Sequence, residues 1–123
     1  MNLLVYIRQG NKMEKLSICL ACNLGSSTSI LVNKMKQVAA GSQKLSSFDL
    51  TIDAIPAGNI NTEQVKDYQI IMLGPQIGHR RNEIEQKVVT MNIPVTIINA
   101  ADYGSMNAAN ILKEAIYQIK TRN

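Results

Sequence analysis

The sequence predicts a single α/β domain: a four-stranded parallel sheet, strand order 2-1-3-4, with helices on both faces. Three observations predict it. Short apolar runs alternate with stretches in which apolar residues recur every three or four positions, and strand alternating with helix builds a parallel sheet. One run, Phe48–Asp53, instead alternates apolar with polar, which suits an edge strand. The chain has 123 residues, 46% apolar and 18% charged, enough for one soluble domain with its own core.

The elements follow in order. Leu16–Ala21 is a short apolar run with β-branched content, bounded by a turn signal at Gly25, and reads as the central strand. From Ser27 the period changes. Leu31, Met35 and Val38 recur at helical spacing, with Asn33, Lys34, Lys36 and Gln37 largely opposite, and Gly41 and Ser42 end the helix. Phe48–Asp53 follows as the edge strand. Asn61-Thr-Glu-Gln opens a short capped helix. Gln69–Leu73 is a third strand, closed by Gly74-Pro75. Ile77, Ile84, Val88 and Met91 mark a third helix, and Pro94–Ile98 a fourth strand. Leu112, Ala115, Ile116 and Ile119, with Ala108 one turn earlier, give the last helix. No internal repeat or low-complexity segment interrupts the pattern.

Crossovers between parallel strands are right-handed. The order 2-1-3-4 reverses direction between strands one and three, and such sheets bind ligands at that switch point, beyond the strands' carboxyl ends. The loops meeting there are Cys22–Ser27 and Gly74–Arg81.

Composition narrows the function. The net charge of +4 is spread along the chain without a basic run, and there is one Phe and no Trp. That is neither a basic stripe nor a stacking platform, so no nucleic-acid partner is expected. Two cysteines, Cys19 and Cys22, make no disulfide framework and point to a reducing compartment. No apolar run reaches the length that crosses a bilayer. Residues 1–13 carry no signal-peptide pattern and read as an extension of unknown role, with Met13 an alternative start. Residues 14–123 form the domain.

Residues 22–29 read CNLGSSTS and lead directly into the first helix. A loop of small residues lets successive backbone N–H groups turn inward as an anion nest. The following helix adds unpaired N–H groups and about half a positive charge at its start. Asn23, Leu24, Gly25, Ser26, Ser27 and Thr28 therefore form a candidate phosphate-binding loop. One of Ser26, Ser27, Thr28 and Ser29 is expected to cap the helix. Such a field favours the thiolate of Cys22, the form that attacks phosphorus.

What the loop lacks is equally informative. Small tyrosine phosphatases place an arginine six positions after the cysteine; here that position is Thr28, and residues 22–41 hold no arginine. The loop thus lacks a bidentate clamp for the phosphoryl oxygens. No Asp is evidently placed to protonate a leaving group. These absences favour a phosphoryl relay over the rival reading, a small cysteine-dependent phosphatase or arsenate reductase. A non-catalytic regulatory module is the third reading.

CNLGSSTSILVNKM resembles the active loop and first helix of the enzyme IIB component of the lactose/cellobiose branch of the bacterial sugar phosphotransferase system. LGPQI at 73–77 and DYG at 102–104 fall at the family's distances, and the resemblance spans about residues 14–121. It implies a sheet like that of the small cysteine phosphatases. It also implies a phosphocysteine at Cys22, formed from a phosphohistidine on enzyme IIA. The phosphate then passes to a disaccharide, cellobiose-like β-glucosides being favoured, held by the membrane permease enzyme IIC. The implied location is the cytoplasm, at the membrane through enzyme IIC, with no cofactor. The sequence departs from the family after GPQI: Gly78-His79-Arg80-Arg81 stands where an aromatic residue is common.

The remaining polar residues have plainer readings beside functional ones. Cys19 lies within the strand, and extended chain separates it from Cys22 by roughly 10 Å, beyond the ~7 Å limit for a disulfide. It reads as a buried hydrophobe. Two cysteines and one histidine are too few for a structural zinc site. Gln76 and His79 are possible second-loop contacts to a phosphoryl group; for His79 the solvated-loop reading is preferred. Arg80 and Arg81 either raise the local potential for a phosphorylated partner or form an exposed helix start. Asp102 and Tyr103 read as shaping the turn before the last helix.

Overall fold

The computed structural model of the protein describes residues 14–23 and 28–121. The predicted extension, and Leu24, Gly25, Ser26 and Ser27 of the predicted loop, lie outside the described residues.

Strand β1 (Glu14–Cys22) is central, and every residue from Leu16 onward is buried. A strand buried on both faces must be apolar, as this one is, or satisfy its polar groups. Ser17 does the latter: its hydroxyl donates to the Asp67 carbonyl at 2.8 Å, and its backbone N–H donates to Gln69 Oε1 at 2.8 Å. Parallel β2 (Phe48–Pro56) pairs with β1 along its full length, from Glu14↔Phe48 to Cys22↔Pro56. On the other side β3 (Ile70–Leu73) pairs from Ile18↔Ile70 to Ala21↔Leu73, and β4 (Val95–Ile97) completes the sheet. The order is β2-β1-β3-β4, as the sequence predicts.

Helices cover both faces because alternate β1 residues point to opposite sides. Ile18 and Leu20 pack with Met72 of β3 against α1 (Thr28–Ala40) and α5 (Ala108–Thr121). Cys19 and Ala21 pack on the other side with Ile60, Val65, Ile77, Ile84 and Val88. Each fully buried Leu or Ile contributes about 1.5–3 kcal/mol relative to exposure. The short α2 (Thr62–Val65) is capped as expected, with the Asn61 side chain accepting from the Gln64 N–H at 2.9 Å.

Three expectations are corrected. Helix α1 buries Leu31, Val32, Met35 and Ala39, whereas Val38 is 38% exposed. The buried arc centres on Met35 and Ala39, so Val38 sits at its rim. The predicted third helix is three pieces: a 3-10 segment at Pro75–Arg80, α3 (Arg81–Lys87), and a 3-10 turn at Val89–Met91. The backbone leaves helical geometry at Ile77 (φ −117°, ψ 20°) and at Val88 (φ −116°, ψ 14°). Gly78 weakens the first turn, and Val88-Val89-Thr90 is a β-branched run with poor helix propensity. Ile77, Ile84 and Val88 are buried all the same. Finally, Asp102 and Tyr103 do not lie in a turn but in a helix of their own, α4 (Ala100–Gly104), capped by the Asn99 side chain.

Candidate functional site

The crossovers leave β1 and β3 toward opposite faces, so a crevice opens beyond their carboxyl ends. A backbone bond ties its two sides: the Gly74 N–H donates to the Ala21 carbonyl at 3.2 Å, fixing the second loop against the end of β1. Gly74 leaves room there for the Gln76 side chain. A Cβ at this position would lie 2.8 Å from Gln76 Oε1, because the Gln76 amide folds back over the turn.

Cys22 is the last residue of β1 and is 8% exposed. Its thiol makes a weak contact to the Ile55 carbonyl, 3.8 Å away on β2. It lines a depression of about 410 Å³ with Asn23, the Pro56–Asn59 turn and Arg80. Cys19 is fully buried on the opposite face of the strand, and the two thiols are free. Burial, and after it the Asp53 carboxylate, pushes the Cys19 thiol up to about 12. It therefore stays protonated, as a core hydrophobe does.

The other expected residues separate into two groups. Thr28, the first residue of α1, is 1% exposed, and its Oγ1 lies 3.0 Å from the Tyr103 hydroxyl. Gln76 Nε2 donates to the same hydroxyl at 3.3 Å. Tyr103 of α4 thus joins the start of α1 to the loop after β3. Asn23, Gln76 and His79 are exposed, and His79 does not line the depression with Cys22. Arg81 pairs with Glu85 at 3.5 Å and lines a different depression, with Val89 and Pro94.

Sequence reasoning missed the part of one residue: Tyr103, expected to shape a turn, bonds across the crevice. Of the two readings open for Arg80, its place beside the Cys22 depression favours the one in which it raises the local potential there. Glu83 holds the Arg80 guanidinium in a fork: Nε donates to Oε1 at 3.1 Å and Nη2 to Oε2 at 2.7 Å. The hydrogen bond from Arg80 holds the Glu83 carboxyl below its ordinary range, and in turn raises Arg80. The Arg80–Glu83 pair follows from i,i+3 spacing, whereas the approach of this loop to the end of β1 follows from the sheet order.

Chemically, the arrangement offers a largely buried cysteine at the wall of a depression that Arg80 also lines, and no described carboxylate lining it. Among the described residues no helix is long and apolar enough to cross a membrane.

Residues 17–114 match the family model described as "PTS system, Lactose/Cellobiose specific IIB subunit". The chain is 32% identical over 102 residues to the PTS system cellobiose-specific EIIB component of Lactococcus lactis subsp. lactis, covering 80% of this chain and 91% of that protein. Identity and coverage are the same for the galactose-specific EIIB component of Lactococcus lactis subsp. cremoris. Among solved structures, the cellobiose-specific IIB component of Borrelia burgdorferi superposes with a TM-score of 0.69 at 31% identity, covering 89% of this chain and 95% of that one. The lactose-specific IIB domain of Streptococcus pneumoniae, at 17% identity and TM-score 0.67, shares the fold, with 85% of this chain and 97% of that chain covered. A domain-long family match, relatives above 30% identity and a common sheet agree with the resemblance carried by the CNLGSSTS stretch: the chain belongs to the lactose/cellobiose-specific IIB family of the sugar phosphotransferase system.

Proposed function

We propose that Cys22 is the residue that carries the phosphoryl group in this IIB component. The observation that carries this reading is its placement: Cys22 ends the central strand at the switch point and lines a depression, while Cys19 is sealed in the core. The donor is a phosphohistidine on enzyme IIA. Sγ, as thiolate, attacks phosphorus in line; the S–P bond forms as the N–P bond breaks, and the ring nitrogen keeps the electron pair while the ring takes up a proton from solvent, leaving as neutral imidazole. In the second transfer a sugar hydroxyl held by enzyme IIC attacks phosphorus. The O–P bond forms, the S–P bond breaks, the hydroxyl proton leaves to solvent or a base, and thiolate returns.

Stabilisation of the transferring oxygens falls to positioning and electrostatics. Backbone N–H groups of about residues 23–28 are the proposed donors. Neither state is a deep trap, as a relay requires. The proposed domain comprises residues 14–123, with 1–13 an extension, and works in the cytoplasm, at the membrane through enzyme IIC.

For the sugar we favour a cellobiose-like β-glucoside. Relatives are named cellobiose-specific, galactose-specific and, in Bacillus subtilis at 29% identity, oligo-beta-mannoside-specific. The test is reconstitution with phosphoenolpyruvate, the general phosphotransferase proteins and a cellobiose-type enzyme IIA. One phosphoryl group on the chain, transferable to sugar with the cognate enzyme IIC, is expected. Steady hydrolysis of an aryl phosphate without phosphoryl transfer would overturn the reading in favour of a phosphatase.

A further inference from the structure

Arg80 is the sole charged residue among the described ones lining the Cys22 depression, and it comes from the far loop of the switch point. Its side chain is 27% exposed, against 47% for Glu83, so the guanidinium is the more enclosed partner. The planar fork that meets a carboxylate bidentately also fits phosphate oxygens. Glu83 has a second cation within reach, Lys87 Nζ at 3.6 Å. Losing Arg80 would therefore leave that carboxylate paired.

We propose that Arg80 binds the phosphoryl dianion on Cys22, exchanging Glu83 for the phosphate oxygens when the cysteine is charged. The proposal rests on Cys22 being the carrier and adds a residue to its site. The Arg80–Glu83 pair is partly exposed, and a phosphoryl dianion brings twice the charge of a carboxylate to the same fork. The exchange leaves no charge buried without a partner. It also gives the two states of the relay different surfaces beside the sulfur: Glu83 is held by Arg80 when the thiol is empty and freed toward Lys87 when it is charged.

The test uses the full chain, phosphorylated through enzyme IIA, with a phosphorus-NMR pH titration of the thiophosphate. An opposite charge in contact lowers a pKa, and for a partly exposed, solvent-screened pair the effect is about 0.5 unit. Arg80→Gln is expected to raise the apparent pKa of the S-phosphoryl group by that amount, about a threefold loss of dianion stabilisation. Arg80→Lys should restore part of it, and Glu83→Gln should move the titration the other way. Arg81→Gln removes the same formal charge one residue along and should leave it unmoved. The proposal is overturned if Arg80→Gln titrates with the wild type, even where enzyme IIA charges it more slowly, or if Arg81→Gln shifts as far. A wild-type chain that takes no phosphoryl group at Cys22 would instead overturn the assignment of the carrier.

Discussion

The hydroxyls of Thr28 and Tyr103 lie 3.0 Å apart, joining the first residue of the first helix to a short helix 75 residues later in the chain. Gln76 adds its amide to the same oxygen at 3.3 Å. Tyr103→Phe keeps the ring and removes the hydroxyl. One hydrogen bond of this kind contributes about 1 kcal/mol, so the variant should show a lowered Tm. Charging by enzyme IIA should slow as well, because the start of α1 loses an anchor. Unchanged melting and unchanged kinetics would show that the contact holds nothing.

The two cysteines should behave differently toward alkylation. Near pH 8 an iodoacetamide-type reagent should modify Cys22, which lines an open depression, and leave Cys19 untouched in the folded chain. Peptide mapping reads the outcome. Cys19→Ala should retain phosphorylation and cost on the order of 1 kcal/mol through lost packing.

Alkaline pH should weaken the fold through Cys19. Its thiol is raised from 9.0 to about 12, chiefly by burial, so the native state holds the proton after the unfolded chain has released it. That stability is present below pH 9 and is lost as pH rises toward 12; it corresponds to about 4 kcal/mol. Tyr68, raised by burial and then by its hydrogen bond to Asp53, pushes in the same direction. Denaturant melts from pH 8 to 11 should therefore fall less steeply for Cys19→Ala than for wild type. Equal slopes would contradict this.

The core predicts larger effects. Leu20 is fully buried on the central strand, facing α1 and α5. Leu20→Ala should cost about 2–5 kcal/mol by chemical denaturation.

The sheet was legible because burial dictates composition. A central strand reads as continuous apolar residues and an edge strand as alternation, and this distinction alone orders β2 outside β1. Both strands run further than their apolar cores suggest, β1 to Cys22 and β2 to Pro56, because pairing between them continues where the side-chain pattern has ended. Helix continuity was less legible. Ile77, Ile84 and Val88 keep a helical period although the backbone breaks twice among them, since the period reports the buried face and not the hydrogen bonds. Helix α4 has five residues, too few to show a period. At the site, the meeting of the Cys22 and Gly74–Arg81 loops was legible from the sheet order alone. The bond between Tyr103 and Thr28 was not, because a contact between residues 75 apart leaves no trace in local spacing.

The most direct measurement is the site of phosphorylation. The chain is incubated with phosphoenolpyruvate, the general phosphotransferase proteins and enzyme IIA, then mapped by mass spectrometry in wild type, Cys22→Ala and Cys19→Ala. The account predicts one phosphoryl group on the peptide containing Cys22, kept in Cys19→Ala and absent in a folded Cys22→Ala. A folded Cys22→Ala that still accepts the group, or a Cys19→Ala that does not, would contradict it.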